Sequence, residues 1–336
     1  MKAVGYQHAL PITDANALLD IELPRPLVSG KDILVRVEAV SVNPVDTKIR
    51  GRDNASEGTF EILGWDAAGV VESVGSEVKQ FSPGDKVWYA GAINRPGTNM
   101  EYHLVDERIV AKMPSSLNYL EAAALPLTAI TAWELLFDRL KITTKQKGTL
   151  LIIGAAGGVG SIMIQLAKQL TNLTIIATAS RPETREWVLS LGADDVLDHN
   201  QSLVSQLQDS GYSDVIYVAS LTHTATHLSE IASLISPQGD LAVIDDLKTF
   251  DIMPFKRKSI AIHWELMFTR SLFQTQDMIE QHYLLTQVAD LVDEGRIKTT
   301  MTENFGTINA KNLIKAHALL ESGKSRGKIV LAGYDR

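Results

Sequence analysis

LLIIGAAGGVGSIMIQLAKQL, residues 150–170, passes from an apolar run through four glycines (Gly154, Gly157, Gly158, Gly160) into a stretch whose apolar residues recur at helical spacing. That is the order strand, tight turn, helix, and a second apolar run, LTIIATAS (173–180), follows it. The turn is not a strict GxGxxG, because Ala155 stands in the first glycine position of the frame that continues with Gly157 and Gly160. Small residues still permit the bend. Gly157 lets the backbone approach a pyrophosphate, and Gly160 lets helix and strand pack closely. Amide N–H groups at the start of the helix then face the phosphates. No Gly-Lys-Ser/Thr follows, which disfavours a nucleoside-triphosphate loop. A dinucleotide site is the stronger reading, with glycines used for packing alone as its competitor.

The end of the second strand bears on the choice of dinucleotide. ATASRPETREW (177–187) has no Asp or Glu at the strand tip to accept hydrogen bonds from an NAD ribose. Ser180 and Arg181 stand there instead, a hydroxyl and a guanidinium suited to the extra phosphate of NADP(H). Glu183 sits slightly beyond, and Arg185 adds charge one turn later. The alternative is that Arg181 is an ordinary surface arginine.

Outward from this core the chain changes character near residue 126. Before it, DILVRVEAVSV (32–42), GVVESVG (69–75) and DKVWYA (85–90) alternate like half-buried strands, with the turn SPGD (82–85) between the last two. Residues 1–125 therefore read as a β-rich, barrel-like domain. After it, LTIIATAS, DVIYVAS (214–220) and GDLAVID (239–245) are short apolar runs separated by helical stretches such as TREWVLSLGA (184–193). That alternation predicts βαβ units and a doubly wound parallel sheet over 126–265. In 266–336, amphipathic helices are expected at 278–295 and 309–323 and a closing strand in GKIVLAG (327–333), which needs a partner sheet and so returns to the first domain.

Composition bounds the chemistry. With 336 residues and 45% hydrophobic content the chain can bury a sizeable core in two domains. A formal charge of −8 with mixed signs gives no sign of a nucleic-acid or acidic-membrane surface. The absence of cysteine excludes disulfides, thiolate catalysis and Cys-ligated zinc or iron–sulfur centres. MKAVGYQHAL does not read as a signal peptide, and no stretch of 18 uninterrupted apolar residues suggests a membrane span, so a soluble cytoplasmic protein is expected.

The first domain offers His8, His103, Asp46, Glu61, Asp66 and Glu101, whose spacing matches no compact metal motif. His103 reads as structural or as a substrate-edge residue rather than a catalytic acid. SVNPVDTKIRG (41–51) is more informative: Asn43 before Pro44 either contacts nicotinamide or substrate or caps a turn, and Asp46 and Lys48 bring further polarity to the same segment. In PLTAITAWELL (126–136) a helix begins, and Thr128 either hydrogen-bonds the nicotinamide side or makes a local contact at the helix N-terminus.

Taken together, VNPVDTKIRG, ILGWDAAGVVESVG, FSPGDKVW, ALPLTAITAWE, GAAGGVGS, ATASRPET and the terminal GKIVLAG resemble the medium-chain dehydrogenase/reductase superfamily, in its zinc-independent quinone oxidoreductase-like branch. They occur in family order over nearly the whole chain. DIMPFKRKSIAIHWELMFTRSLF (251–273) further resembles a bacterial subgroup labelled zinc-type alcohol dehydrogenase-like proteins. Zinc-dependent relatives hold their metal through a Cys, the His of a Gly-His-Glu segment and a later Cys or acid. Here Ser41 or its neighbours fall at the first position and Trp65 at the histidine, so no catalytic zinc and no metal ligands are expected.

The resemblance implies an α/β fold, with a GroES-like β-barrel domain and a Rossmann doubly wound parallel-sheet domain. It implies NADPH-dependent reduction of quinones or activated alkenes, with a small hydrophobic electrophile as substrate and a homodimer as the assembly. Carried onto this chain, it sets Asn43, Asp46 and Thr128 near nicotinamide and substrate, and Ala156, Gly157, Gly158 and Val159 at the pyrophosphate. Ser180 and Arg181 fall at the adenosine phosphate, Ser220 and Leu221 at the end of the fourth strand, Ile244 at the end of the fifth, and Lys328 near a cofactor phosphate. The alternatives are a zinc alcohol dehydrogenase or aldehyde reductase, and a non-enzymatic NADPH-binding or sensing protein.

Overall fold

The computed structural model describes residues 1–334 and divides into two compact units, one of residues 1–130 with 268–334, the other of residues 131–267. The first unit begins with strands β1 (Lys2–Tyr6), β2 (Leu19–Glu22) and β3 (Asp32–Val42), helix α1 (Pro44–Arg52), then β4 (Glu61–Ile62), β5 (Asp66–Val74), β6 (Lys86–Ala90), β7 (Tyr102–Asp106) and β8 (Val110–Lys112). Helices α2 (Tyr119–Ala123) and α3 (Pro126–Trp133) follow. The run 119–139 has the length and mean hydropathy, 1.4, of a membrane span, yet 78% of its apolar window is buried inside the protein, which marks it as core.

In the second unit β9 (Thr149–Ile153), α4 (Gly158–Leu170), β10 (Thr174–Thr178), α5 (Pro182–Ser190), β11 (Asp195–Leu197), α6 (Leu203–Asp209), β12 (Val215–Ser220), α7 (Thr224–Leu234), β13 (Asp240–Val243), α8 (Met253–Lys256) and β14 (Ala261–Trp264) alternate as the sequence pattern predicts. The six strands form one parallel sheet in the order β11-β10-β9-β12-β13-β14. The order reverses between β9 and β12, the switch point at which open α/β sheets bind ligands outside the carboxyl ends of their strands. β9 is buried along its whole length, which is why it reads as an unbroken apolar run rather than an alternating one. Leu151, Ile176, Val218, Ile231, Leu241 and Phe255 belong to the core that the sheet shares with its helices.

The chain then returns to the first unit through α9 (Thr269–Phe273), α10 (Glu280–Asp293), β15 (Met301–Asn304), α11 (Ala310–Glu321) and β16 (Lys328–Ala332). β16 lies antiparallel to β3, so the seven-stranded sheet runs β15-β16-β3-β5-β6-β8, with β7 also on β3. A separate three-stranded sheet, β2-β1-β4, has no counterpart in the sequence reading, because its strands are two to five residues long.

Candidate functional site

Strand register builds the polar centre of the first unit. β3 pairs with β5 so that Ser41 faces Asp66, and with β16 so that Val42 faces Ile329, which brings the end of β3, the start of β5 and the start of β16 to one point. Asn43, Asp66 and Lys328 meet there, all 3% exposed or less. Lys328 Nζ donates to Val42 O at 3.0 Å, to Asp66 Oδ2 at 2.9 Å and to Asn43 Oδ1. Asn43 Nδ2 donates to Asp66 Oδ2 at 2.8 Å and makes a long contact, 3.4 Å, with Ser41 O. The other carboxylate oxygen of Asp66 accepts the backbone N–H of Leu127 at 2.7 Å, in the first turn of α3. One carboxylate therefore ties three strand ends to the start of the helix that carries Thr128.

Asp46 lies beside this group and is fully buried. Its Oδ2 accepts the N–H of Asn43 at 2.6 Å, closing the first turn of α1, and its Oδ1 accepts the N–H of Gly64 at 2.8 Å. Gly64 holds φ +91°, and a Cβ there would meet the side chains of Thr98 and Asn99 within 2.9 Å, so the approach requires glycine. Burial pushes Asp46 up to about 7, against the pull of those two N–H donors and of Lys328.

These contacts revise several roles. Lys328 was matched to a cofactor phosphate, but an ammonium has three donors and all three are spent inside the protein, so none is left for a phosphate oxygen. Asp46 is spent on backbone N–H groups. Thr128 is 2% exposed and donates its hydroxyl to Leu125 O at 3.0 Å, leaving only oxygen lone pairs for an incoming donor. His103 stacks on Tyr89, and its Nδ1 and Nε2 each lie 3.0 Å from a partner, Tyr89 OH and Pro96 O. A carbonyl can only accept, so Nε2 carries the proton, and burial pushes the imidazole down to about 4.

In the second unit Gly154 ends β9 at φ +80°, and a Cβ there would come within 2.7 Å of Thr222 Cγ2, so the loop lies directly against the segment after β12. Gly157 N bonds Gly154 O at 3.2 Å, and α4 opens at Gly158 with a first turn whose N–H groups have no carbonyl of their own helix to meet. A Cβ on Gly160 would lie 2.4 Å from Ala155 O, which makes it the packing glycine. Around Gly157 the nearest atom to a Cβ is Gly154 O at 3.5 Å, so space remains there for a ligand. Ala156, Gly157, Gly158 and Val159 are all partly exposed. The loop thus fits a pyrophosphate.

Ser180 and Arg181 stand at the end of β10, both partly exposed, and Arg181 Nε lies 3.3 Å from its neighbour Glu183. Arg185 does not face a ligand: its two terminal nitrogens donate to Ala179 O at 3.2 Å and Val196 O at 3.0 Å. Ser220 is buried with its hydroxyl 2.8 Å from Thr224 Oγ1 and its carbonyl accepting the N–H of Ile244 at 3.4 Å, while Leu221 and Ile244 are partly exposed at the same sheet edge.

Known proteins share this organisation. Residues 29–115 match the alcohol dehydrogenase GroES-like domain, and residues 191–331 match the zinc-binding dehydrogenase family. A zinc-type alcohol dehydrogenase-like protein of Staphylococcus aureus is 41% identical, the match covering 98% of this chain and 99% of the relative. A crystal structure of a protein from Rhizobium etli CFN 42, assigned as a zinc-dependent alcohol dehydrogenase, superposes with a TM-score of 0.96 at 56% identity over 100% of this chain and 99% of that one. The quinone oxidoreductase of Coxiella burnetii gives a TM-score of 0.82 at 26% identity, over 99% of each chain.

The zinc in three of these descriptions finds no donor set among the described residues. There is no cysteine, Trp65 donates its indole N–H to Ala92 O at 3.2 Å, and Asp66 is paired with the Lys328 ammonium. Among the described residues no group of three or more His, Asp or Glu side chains is placed to share an ion.

Proposed function

The chain belongs to the medium-chain dehydrogenase/reductase superfamily, and from that premise we propose that it reduces quinones or activated alkenes with NADPH and without catalytic zinc. The observation that carries this reading is the donor set: the chain has no cysteine, Trp65 stands at the position matched to the metal-binding histidine with its indole N–H on Ala92 O, and no group of three His, Asp or Glu among the described residues is placed to share an ion. In zinc alcohol dehydrogenases the metal polarises the oxygen of the aldehyde or alcohol. Quinones and enones are already electron-poor, so orientation and a proton suffice. The Coxiella burnetii relative is itself a quinone oxidoreductase.

Bound NADPH would supply the hydride. Ala156 to Val159 would hold its pyrophosphate and Ser180 and Arg181 its adenosine phosphate, with Ser220, Leu221 and Ile244 bordering the cofactor at the ends of the fourth and fifth strands. Thr128 contributes an acceptor oxygen beside the nicotinamide. Asn43 and Asp46 act as positioning residues, holding the end of β3 and the α1 turn, and water brings the proton to the reduced acceptor. The surface exposes Trp264, the last residue of β14, and Leu266 just beyond it; the outer edge of β14 has no partner strand among the described residues, and that edge serves a homodimer.

The test is NADPH oxidation by chelator-treated protein against a panel of quinones, enones and simple aldehydes, with NADH in parallel. Turnover of quinones or enones that survives chelation and prefers NADPH is the expected result. Oxidation only of aldehydes, or only after zinc is restored, would return the chain to the alcohol dehydrogenase class.

A further inference from the structure

Arg181 alone is a poor match for a phosphomonoester. The phosphate carries a charge of about −1.5 to −2 at neutral pH, whereas Arg181 offers one positive charge that is partly offset by Glu183, 3.3 Å away. Histidine adds further cationic chemistry at this sheet edge. His199 lies two residues past the end of β11 and Arg181 three past its neighbour β10, while His223, three past β12, stands two strands beyond β10 along the same edge of the parallel sheet. His227 stands one turn into α7, and the bond from Leu203 N to Glu230 Oε1, 2.9 Å, fastens the end of the His199 loop to that helix. His223 holds φ +52°, unusual for a non-glycine residue, with its Nδ1 2.9 Å from Thr222 Oγ1, and Thr222 is the residue that backs Gly154 of the phosphate loop.

We infer that His199, with Arg181 on the neighbouring strand end, forms a proton-gated receptor for the phosphomonoester on the adenosine ribose of NADPH, so that cofactor binding takes up a proton. The inference rests on the NADPH reading and adds to it a dependence on pH.

The electrostatics give the sign. In the free protein burial lowers the affinity of His199 for a proton; Asp198 opposes this, while the charges of His227, His223 and Arg181 add to it. His227 is likewise lowered by burial, with Glu230 favouring its charge and His223 opposing it. Asp245, across the start of α7, is occupied by the N–H of Thr224 at 3.0 Å. A dianion seated among these groups reverses the balance, because an opposite charge stabilises the imidazolium. Discrimination for the phosphorylated cofactor therefore strengthens as pH falls towards about 6, where the phosphate itself begins to protonate.

Calorimetry with 2′,5′-ADP and 5′-AMP isolates the phosphate from the nicotinamide, and two buffers of different ionisation heat count the protons. The expected result is proton uptake with 2′,5′-ADP in excess of that with 5′-AMP, and a preference for 2′,5′-ADP that weakens about tenfold between about pH 6 and about pH 8. His199→Gln removes the excess uptake and flattens the preference, whereas His199→Arg restores the affinity and leaves it flat. A pH-independent preference, the same in wild type and in His199→Gln, overturns the inference while leaving the NADPH reading intact. No preference for 2′,5′-ADP at any pH overturns both.

Discussion

Asp66 and Lys328, 262 positions apart in sequence, sit 2.9 Å from each other with side chains 0% and 3% exposed, and the same carboxylate holds the first turn of α3 through Leu127 N–H. A buried pair of this kind returns little net stability, but breaking it strands a charge. Lys328→Met is expected to cost about 3–5 kcal/mol, and the double variant with Asp66→Asn to recover a large part of that. Urea melts of the two single variants and the double variant check it; simple additivity would mean that the two charges do not depend on each other.

Arg181 is expected to supply the part of cofactor choice that does not depend on pH. Arg181→Ala should weaken NADPH binding about tenfold and leave NADH within about twofold, because only the extra phosphate loses a charge-assisted hydrogen bond. Paired fluorescence titrations read both values. Equal losses for the two cofactors would reassign Arg181 to a general structural role.

The glycines of the turn separate into two kinds. Gly160→Ala places a methyl 2.4 Å from a backbone oxygen that cannot move aside cheaply, so the melting temperature should fall by several degrees, about 1–3 kcal/mol. Gly157→Ala meets nothing closer than 3.5 Å and should melt near wild type while losing NADPH affinity, because its methyl enters the space left for the pyrophosphate. Melting curves with and without NADPH distinguish the two.

The α/β class was legible in residues 150–180 because buried parallel strands show as apolar runs and the helices between them keep their own period. The closing strand at 327–333 was legible for the same reason. The polar centre was not. Asn43, Asp66 and Lys328 converge only through the register of β3 with β5 and β16, and periodicity carries no register. The available signal was an aspartate opening the apolar strand that starts at residue 66, a charge that must find a partner if it is buried. Thr128 stayed open between two readings because its helix-start position permits both. Glu134 and Glu265 went unremarked because a lone glutamate in a helix, or just beyond a strand, normally reads as solvated.

Those two glutamates support a prediction about pH. Glu134 opens the π-helical turn 134–139, and Glu265 follows β14; both side chains are buried. Arg139 Nε lies 2.6 Å from Glu265 Oε2 and its NH2 4.0 Å from Glu134 Oε2, so one cation serves two carboxylates. Burial first, then the hydrogen bond and charge of Glu134, push Glu265 up to about 9, with Arg139 pulling the other way. The folded state thus holds a proton that the unfolded chain releases near its ordinary 4.5. The resulting stabilisation is complete below that value and is lost as pH rises through about 9, so the unfolding free energy should decline across that window, by up to about 1.4 kcal/mol per pH unit. Glu265→Gln keeps the shape and a donor towards Glu134 and carries no proton to lose. Denaturant melts from about pH 5 to about pH 9 should therefore show a slope in the wild type that is markedly reduced in Glu265→Gln, and identical slopes would mean that the pair does not share a proton.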